Sequence, residues 1–486
     1  MKKVSNQTML ITYADSMGDD LKDLYEILEE HFDGVFGGVH LLPIFPSSGD
    51  RGYAPLHYTE VDPAFGTWDD IKKFSENFFL MCDFMINHLS VRSKEFLDYL
   101  KNKDSSPYRD MFIRWSEFWP NGEPSDEDLK AMYFRKPEGP VKDFTFEDGS
   151  TVKLWNTFGP EQIDVNPWSP ATQEFYRRSL AQLAQYFSII RYDAVAYATK
   201  KPGTNCFFLE PDIWELFRMG TEQIKPLGAE ILPEIHEDYK LQLRMAEQGY
   251  WVYDFALPML LLHGMMAGRA DRLIRWLKIC PKKQFTTLDT HDGIGVVDVG
   301  DLLEDDDINM VRDRVSELLS KADENLSIPF SMIKQAGMEK LYQLNCTWYS
   351  ALDEDDDAYL LSRIVQLYTP GIPQIYYVGL LAGKNDIEAV KESGERRDIN
   401  RHPYSREEIT ESVQKPILKR MLQIMRFRNT YPAFDGDLSI TEHVNPSILD
   451  VYWSKDEYTT HLLADFITKQ YTISYYDKNT GETVCL

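Results

Sequence analysis

The stretch from Ile189 to Tyr197 reads IIRYDAVAY. Two isoleucines lead into Arg191, Tyr192 and Asp193, so a short apolar run ends in charge. Such a run reads as a buried strand of a parallel sheet, because helices covering both faces leave no solvent side on which polar residues could alternate. Seven other runs share this form: Met9 to Thr12, Gly38 to Leu42, Leu80 to Ile86, Ala229 to Glu234, Trp251 to Phe255, Phe285 to Asp289 and Gln374 to Tyr377. Longer amphipathic helical patterns separate them, which is the rhythm of repeated βα units. Polar residues collect at the carboxyl ends of the runs: Asp15, His40, Asn87 with His88, Asp193, Glu234, Asp254, and Asp289 with His291 and Asp292. Eight such units predict an α/β protein, a (β/α)8 TIM barrel, and a barrel gathers those ends on one rim where its chemistry sits.

Two segments interrupt the rhythm. Between residues 88 and 168 the chain turns polar and aromatic, with NGEPSDED, RKPEGP and FEDGS marking turns, and reads as a lobe grown from the loop after the third strand. A second lobe is expected over 296–352, with acidic LLEDDDIN and a helical pattern up to Lys340. The barrel then occupies 1–87, 169–295 and 353–433. From 434 to 486, the alternating segments SILDVYWS, YTTHLLADF and QYTISYYD predict a small antiparallel β domain. The acidic clusters Asp305 to Asp307 and Asp353 to Asp357 lack the interleaved spacing and turn glycine of a calcium loop, and read as solvated loops.

The 486 residues include 52 Lys and Arg against 78 Asp and Glu, a net charge of -26 that disfavours nucleic acid and anionic membrane surfaces as partners. Any anionic substrate must then be held by a few local cations. Five scattered cysteines without a C-x-x-C pair suggest neither a disulfide framework nor a zinc knuckle, and fit a reducing cytoplasm. The first apolar run is too short for a signal-peptide core, and no apolar stretch is long enough to span a bilayer. No H-E-x-x-H or Cys/His spacing implies a metal, and no organic cofactor is expected.

Three acids stand out at three strand ends: Asp193 in IIRYDAVAY, Glu234 in AEILPEIHEDY and Asp292 in TTLDTHDGIGV. Neighbouring strands lie about 5 Å apart, so acids from the fourth, fifth and seventh could converge on a sugar-sized space. Retaining glycosyl transfer needs one ionised carboxylate to attack the anomeric carbon and one protonated acid to serve the leaving oxygen. A third can stabilise the charge developing on the ring. Arg191, two residues before Asp193 and so on the same strand face, would keep that carboxylate ionised.

The strings DFMINH (83–88), RYDAVAY (191–197), LPEIH (232–236) and LDTHD (288–292) resemble the four ordered regions of the α-amylase superfamily. Further strings narrow the resemblance to the sucrose phosphorylase family within it: ITYADS, GGVHLLPIFPSSGDRGYAP, LWNTFGPEQID, YDFALP, THDGIGVVDV, PGIPQIYYVGLLAGKND and GERRDINRH, in order from about residue 9 to 434. The resemblance implies that Asp193 is a nucleophile forming a β-glucosyl ester, Glu234 the general acid and then base, and Asp292 the transition-state stabiliser. It implies that His88 and His291 bind glucose hydroxyls and that Asp50 and Arg397 grip the far side of the sugar. Phe158, Gln162, Arg191, Tyr197 and His236 complete the implied substrate contacts, Phe158 as an aromatic face beneath a developing cation.

On the acceptor side, Arg135 and the segment Leu341, Tyr342 and Gln343 resemble elements that hold fructose or phosphate, and Lys136 beside Arg135 suits phosphate. Two positions depart from the family pattern. Lys340 stands where an acidic residue binds fructose hydroxyls, and a lysine cannot accept those bonds. Tyr192 stands where leucine usually precedes the nucleophile, which should alter packing behind the strand. The implied activity is reversible phosphorolysis of sucrose to α-D-glucose 1-phosphate and fructose. Sucrose, phosphate and the two products would be its partners, and the protein a monomer or homodimer. A sucrose 6'-phosphate phosphorylase, a glucosylglycerol or glucosylglycerate phosphorylase, and a hydrolase or transglucosylase are the alternatives.

Overall fold

Parallel strands covered by helices are buried on both faces, and the eight sequence runs form such strands. They are β1 (Met9–Thr12), β2 (Gly38–Leu41), β3 (Phe79–Met85), β4 (Ile189–Asp193), β5 (Glu230–Pro233), β6 (Val252–Asp254), β7 (Gln284–Thr286) and β8 (Ile372–Tyr376). Every residue of β1, β2, β3, β6, β7 and β8 is buried. The expected bounds differ from these by at most three residues. The computed structural model describes residues 1–136, 138–322, 330–335 and 338–486, and the side chains of these except 322, 330–335 and 338–340.

The fold is a (β/α)8 barrel followed by an antiparallel sheet, and the chain packs as two units. The first comprises residues 1–4, 41–235 and 332–340. Within it β3 pairs in parallel with β4, Met85 opposite Asp193, and β4 pairs with β5, Tyr192 opposite Pro233. This register brings the ends of β3, β4 and β5 level, with Asp193 on the last residue of β4. The segment that follows β3 carries the hairpin Val141–Thr145 and Thr151–Trp155, and its core is built on Trp115, Trp119 and Trp155.

The second unit comprises residues 5–40, 236–331 and 341–486. Its parallel strands run in the order β6, β7, β8, β1, β2, with Asp254 opposite Thr286 and Met9 opposite Gln374. The helix Asp356–Tyr368 locks two of these strands together. Its Gln366 donates to the carbonyls of Thr286 and Gln374, at 2.9 and 3.0 Å. The chain closes with β9 (Asp437–Ile440), β10 (Ile448–Lys455), β11 (Tyr458–Asp465), β12 (Tyr471–Asp477) and β13 (Glu482–Cys485), antiparallel in sequence order. On β10, Leu449, Val451 and Trp453 are buried while Tyr452 is exposed, the alternation of a one-sided sheet, broken only at Asp450, which is buried beside His443 and His461.

One expectation is corrected. The helical pattern anticipated up to Lys340 ends as a helix at Asp305–Ala322, and the chain continues as strands Phe330–Gln335 and Met338–Leu344. Pro329 and Gly337 are poor helix residues, and the Phe-Ser-Met-Ile and Leu-Tyr-Gln-Leu runs beside them suit strands better. The acidic clusters have capping work. Asp305, Asp306 and Asp307 form the first turn of a helix, and Asp355 accepts from the Ala358 amide at 2.9 Å to cap another.

Candidate active site

In the first unit the site is organised around Arg191. Its Nη1 donates to Asp193 Oδ1 at 2.8 Å and to Asp83 on β3, while its Nη2 lies 3.4 Å from Glu234 Oε1. One buried guanidinium therefore touches three carboxylates. Burial alone would lower the Arg191 pKa, but Asp83, Glu234, Tyr53 and Asp193 hold it well above its ordinary value, so the cation is permanent. Asp193 meets the cation expected from the two-residue spacing. Glu234 is fixed by the backbone as well: the Ala194 amide donates to Glu234 Oε2 at 3.1 Å, and the Glu234 amide donates to the Tyr192 carbonyl at 3.0 Å. Ala194 reaches this position in the left-handed region, φ 52°, a conformation that costs a residue with a Cβ and is found where a site requires it.

His88 is buried and its Nε2 lies 2.8 Å from the Tyr53 carbonyl. Burial lowers its pKa, so the ring is neutral; because a carbonyl only accepts, the proton is on Nε2 and Nδ1 is an acceptor. Phe158 is half-buried and packs edge-on against both His88 and Tyr197, with centroids 5.5 and 5.1 Å away. The Arg135 guanidinium lies over the same ring at 5.9 Å. The buried Tyr197 phenol has its pKa raised by burial, with Arg135 and Tyr133 in hydrogen-bonding reach. Asp50 is exposed in a tight turn with φ 48°.

Two residues of this unit hold the loops. Gln162 donates to the Tyr53 carbonyl and accepts from the Gly159 amide, both at 2.8 Å, so its amide is spent on backbone. Lys136 donates to the Asn156 side chain and, at 3.2 Å, to the Phe158 carbonyl. It thus braces the loop that presents Phe158, whereas adjacency to Arg135 had suggested a phosphate cation. Behind β4, Tyr192 is fully buried, and a methyl group on Gly220 would collide with its hydroxyl. The helix Asp212–Ile224 therefore supplies a glycine where the larger side chain needs room.

In the second unit, Asp292 lies in a tight loop. Its amide donates to Thr290 Oγ1 at 3.2 Å, its Oδ1 accepts from Arg397 Nη1 at 3.0 Å, and His291 Nε2 is 3.6 Å away. Gly293 follows at φ 110°, where a Cβ would strike the Leu344 carbonyl. Arg397 is thereby on a proposed catalytic carboxylate, a contact its sequence did not suggest. His236 stacks on Phe255 with centroids 4.1 Å apart, meets Tyr342 edge-on at 5.3 Å, and has Nδ1 3.1 Å from Asp298 Oδ2. Tyr342 and Gln343 are buried and Leu341 is half-buried; the strand they share with Leu344 pairs with Ile294 and Gly295. Lys340 lies outside the residues whose side chains are described.

Asp83, Asp298, Phe255 and the pair Asp289 and Arg363 went unassigned in the sequence. A signal existed for the first: Asp83 is a lone charge inside FLMCDFM, and a charge buried there requires a partner. Among the described residues no group of three or more His, Cys, Asp or Glu side chains is arranged to hold a metal ion. No described helix is long and apolar enough to cross a membrane.

The family model of the α-amylase catalytic domain matches residues 14–177. Sucrose phosphorylase of Streptococcus mutans is 50% identical over 435 residues, 89% of each chain. Sucrose 6(F)-phosphate phosphorylase of Thermoanaerobacterium thermosaccharolyticum is 44% identical over 99% of each. A crystal structure of sucrose 6F-phosphate phosphorylase, from Thermoanaerobacter thermosaccharolyticum, superposes with a TM-score of 0.94 at 43% identity, covering 100% of this chain and 99% of the other. The chain belongs to the α-amylase family. Within that family it is a glucosyl-transferring enzyme of the phosphorylase type, as these relatives are named.

Proposed function

We propose that the protein catalyses reversible phosphorolysis of sucrose to α-D-glucose 1-phosphate and fructose, with net retention, in a cytoplasmic setting. The observation that carries the reading is the single Arg191 guanidinium shared by Asp193 and Glu234. In the first step an Asp193 oxygen attacks the anomeric carbon as the bond to fructose breaks, and Glu234 gives its proton to the departing fructosyl oxygen. In the second step a phosphate oxygen attacks the same carbon, the ester to Asp193 breaks, and Glu234 takes the phosphate proton. Two inversions restore the α configuration. Asp292 is assigned to stabilise the positive charge on the ring. Arg191 favours the ionised Asp193 needed for attack, and neutral His88 offers Nδ1 as an acceptor for a sugar hydroxyl. Arg135, held beside Phe158 and Tyr197, is the cation assigned to phosphate, with Tyr342 and Gln343 on the acceptor side.

Two observations favour a second reading, phosphorolysis of sucrose 6'-phosphate. Lys340 replaces an acidic contact of the sucrose-specific pattern, and a relative with that activity in its name matches over 99% of both chains. Product analysis separates them. Purified enzyme is given sucrose or sucrose 6'-phosphate, each with and without phosphate, and glucose 1-phosphate and free glucose are measured. Glucose 1-phosphate from plain sucrose at the higher kcat/KM supports the first reading. A higher kcat/KM on the phosphorylated sugar replaces it with the second, and turnover undiminished without phosphate overturns both.

A further inference from the structure

Three consecutive residues anchor the chain that carries Arg397. Asn400 donates from its side chain to the Thr290 carbonyl at 2.7 Å, and Arg401 donates from Nε to the His291 carbonyl at 3.1 Å. Both carbonyls lie just ahead of Asp292. The third residue, His402, reaches away from that loop. Its Nδ1 is 2.7 Å from Asp386 Oδ2 and its Nε2 is 3.2 Å from Glu408 Oε1. A neutral imidazole has one N–H, whereas both nitrogens here face carboxylate oxygens, which only accept. The arrangement is satisfied by the imidazolium alone.

Each carboxylate also has a second task. Asp386 Oδ1 accepts from the Ala389 amide at 3.0 Å and caps the helix Ile387–Ser393. Glu408 Oε2 accepts from the Ser405 amide at 2.8 Å and closes the capping box of the helix Arg406–Ser412. The Asp386 amide in turn donates to the Ile399 carbonyl at 2.9 Å. One ring therefore joins the starts of two helices on either side of the 396–401 turn.

We propose that His402, as an imidazolium bridging Asp386 and Glu408, is the positioning residue that holds Arg397 in register with Asp292. The idea rests on the sucrose phosphorolysis reading for its activity arm only. Burial by itself lowers the His402 pKa, but the bonds to Asp386 and Glu408 raise it above the ordinary histidine value. The clamp is thus complete below that ordinary value and is lost as pH rises through the raised one. The other charged and titratable groups around the ring are Tyr404, which meets it edge-on at 4.7 Å, and Lys384, Glu411, Lys415, Asp356 and Tyr349 lining the adjoining cleft.

The test compares the parent, His402→Gln, Arg397→Ala and the double variant from about pH 5.5 to 9, the span over which histidine titrates. Sucrose phosphorolysis is followed beside hydrogen exchange of the peptide covering 396–402, corrected for intrinsic rates. In the parent, exchange of that peptide should speed up as pH rises, while in His402→Gln it should be fast throughout. His402→Gln should raise KM about three- to tenfold, less than the roughly ten- to hundredfold of a charge-assisted bond made directly to substrate because it acts through Arg397, with little change in kcat. It should also remove one ionisation from the pH profile, and in the Arg397→Ala background it should add less than about twofold. Superimposable pH profiles and exchange in parent and His402→Gln would overturn the proposal, as would an equal KM effect with and without Arg397. Should the parent fail to phosphorolyse sucrose, the functional reading fails separately and the exchange arm alone decides the role of His402.

Discussion

The Arg363 guanidinium donates to Asp289 Oδ1 at 2.7 Å with both side chains wholly shielded from solvent. A Cβ on Gly379 would collide with both partners, so the pair sits under a backbone that only glycine can bring so close. Asp289 lies three residues before Asp292, and this ion pair underpins the loop on which that carboxylate stands.

Arg363→Met should therefore cost about 3 to 5 kcal/mol, because it leaves Asp289 buried without its cation. Adding Asp289→Asn should recover a good part of the loss. Denaturant unfolding of the parent and the two variants checks this, and a single variant as stable as the parent would refute it.

Asp193→Ala and Glu234→Gln should each abolish turnover while leaving thermal unfolding close to that of the parent. The two act as one unit, so the double variant should be little worse than either. With glucosyl fluoride, whose leaving group needs no proton, Glu234→Gln should still accumulate a glucosyl ester on Asp193, readable by peptide mass spectrometry. An adduct on another residue would reverse the roles.

Gly220→Ala should destabilise the fold by about 1 to 3 kcal/mol through its collision with the Tyr192 hydroxyl. Tyr192→Phe removes the nearest atom but leaves the ring carbon Cζ 2.9 Å from the added methyl, so the double variant should regain only part of that loss. Equal destabilisation with and without the hydroxyl would show that helix packing elsewhere is responsible.

Asp254 gives a pH dependence of definite sign. It is buried, accepts from Leu257 N at 3.0 Å and Trp276 Nε1 at 2.9 Å, and burial pushes its pKa up to about 7. The folded state then holds a proton that the unfolded chain releases near its ordinary value of about 4, so this group destabilises progressively as pH rises from about 4 to 7 and levels off above. The Tm difference between Asp254→Asn and the parent should shift in favour of the variant over that interval. A pH-independent difference would contradict the assignment.

Lys340→Asp tests the acceptor. If the lysine meets a phosphorylated sugar, the substitution should lower the kcat/KM ratio of sucrose 6'-phosphate to sucrose about ten- to hundredfold. A ratio within about twofold, in a parent that prefers plain sucrose, removes Lys340 from specificity.

The barrel was legible because full burial leaves a plain mark: eight apolar runs, seven of them with polar or charged residues at the carboxyl end. Asp193 with Arg191 was legible for a related reason, since a period of two puts both on one face. Partners brought together from distant segments left no such mark. Arg397 on Asp292, Asp298 beneath His236 and the clamp at His402 depend on where loops return, which no local pattern encodes. The strands after Ala322 were missed because a charged amphipathic run conceals short strands whose pairing is nonlocal.

The left-handed Ala194, whose amide rests on Glu234, makes the proposed nucleophile and the proposed proton donor adjacent links of one mechanical chain. A substitution that tilts either carboxylate moves the other through a single peptide plane. Directed evolution toward new sugar donors should therefore find residues 193, 194 and 234 nearly frozen as a block, with productive variation displaced to the loops that present Phe158, Tyr342 and Arg397.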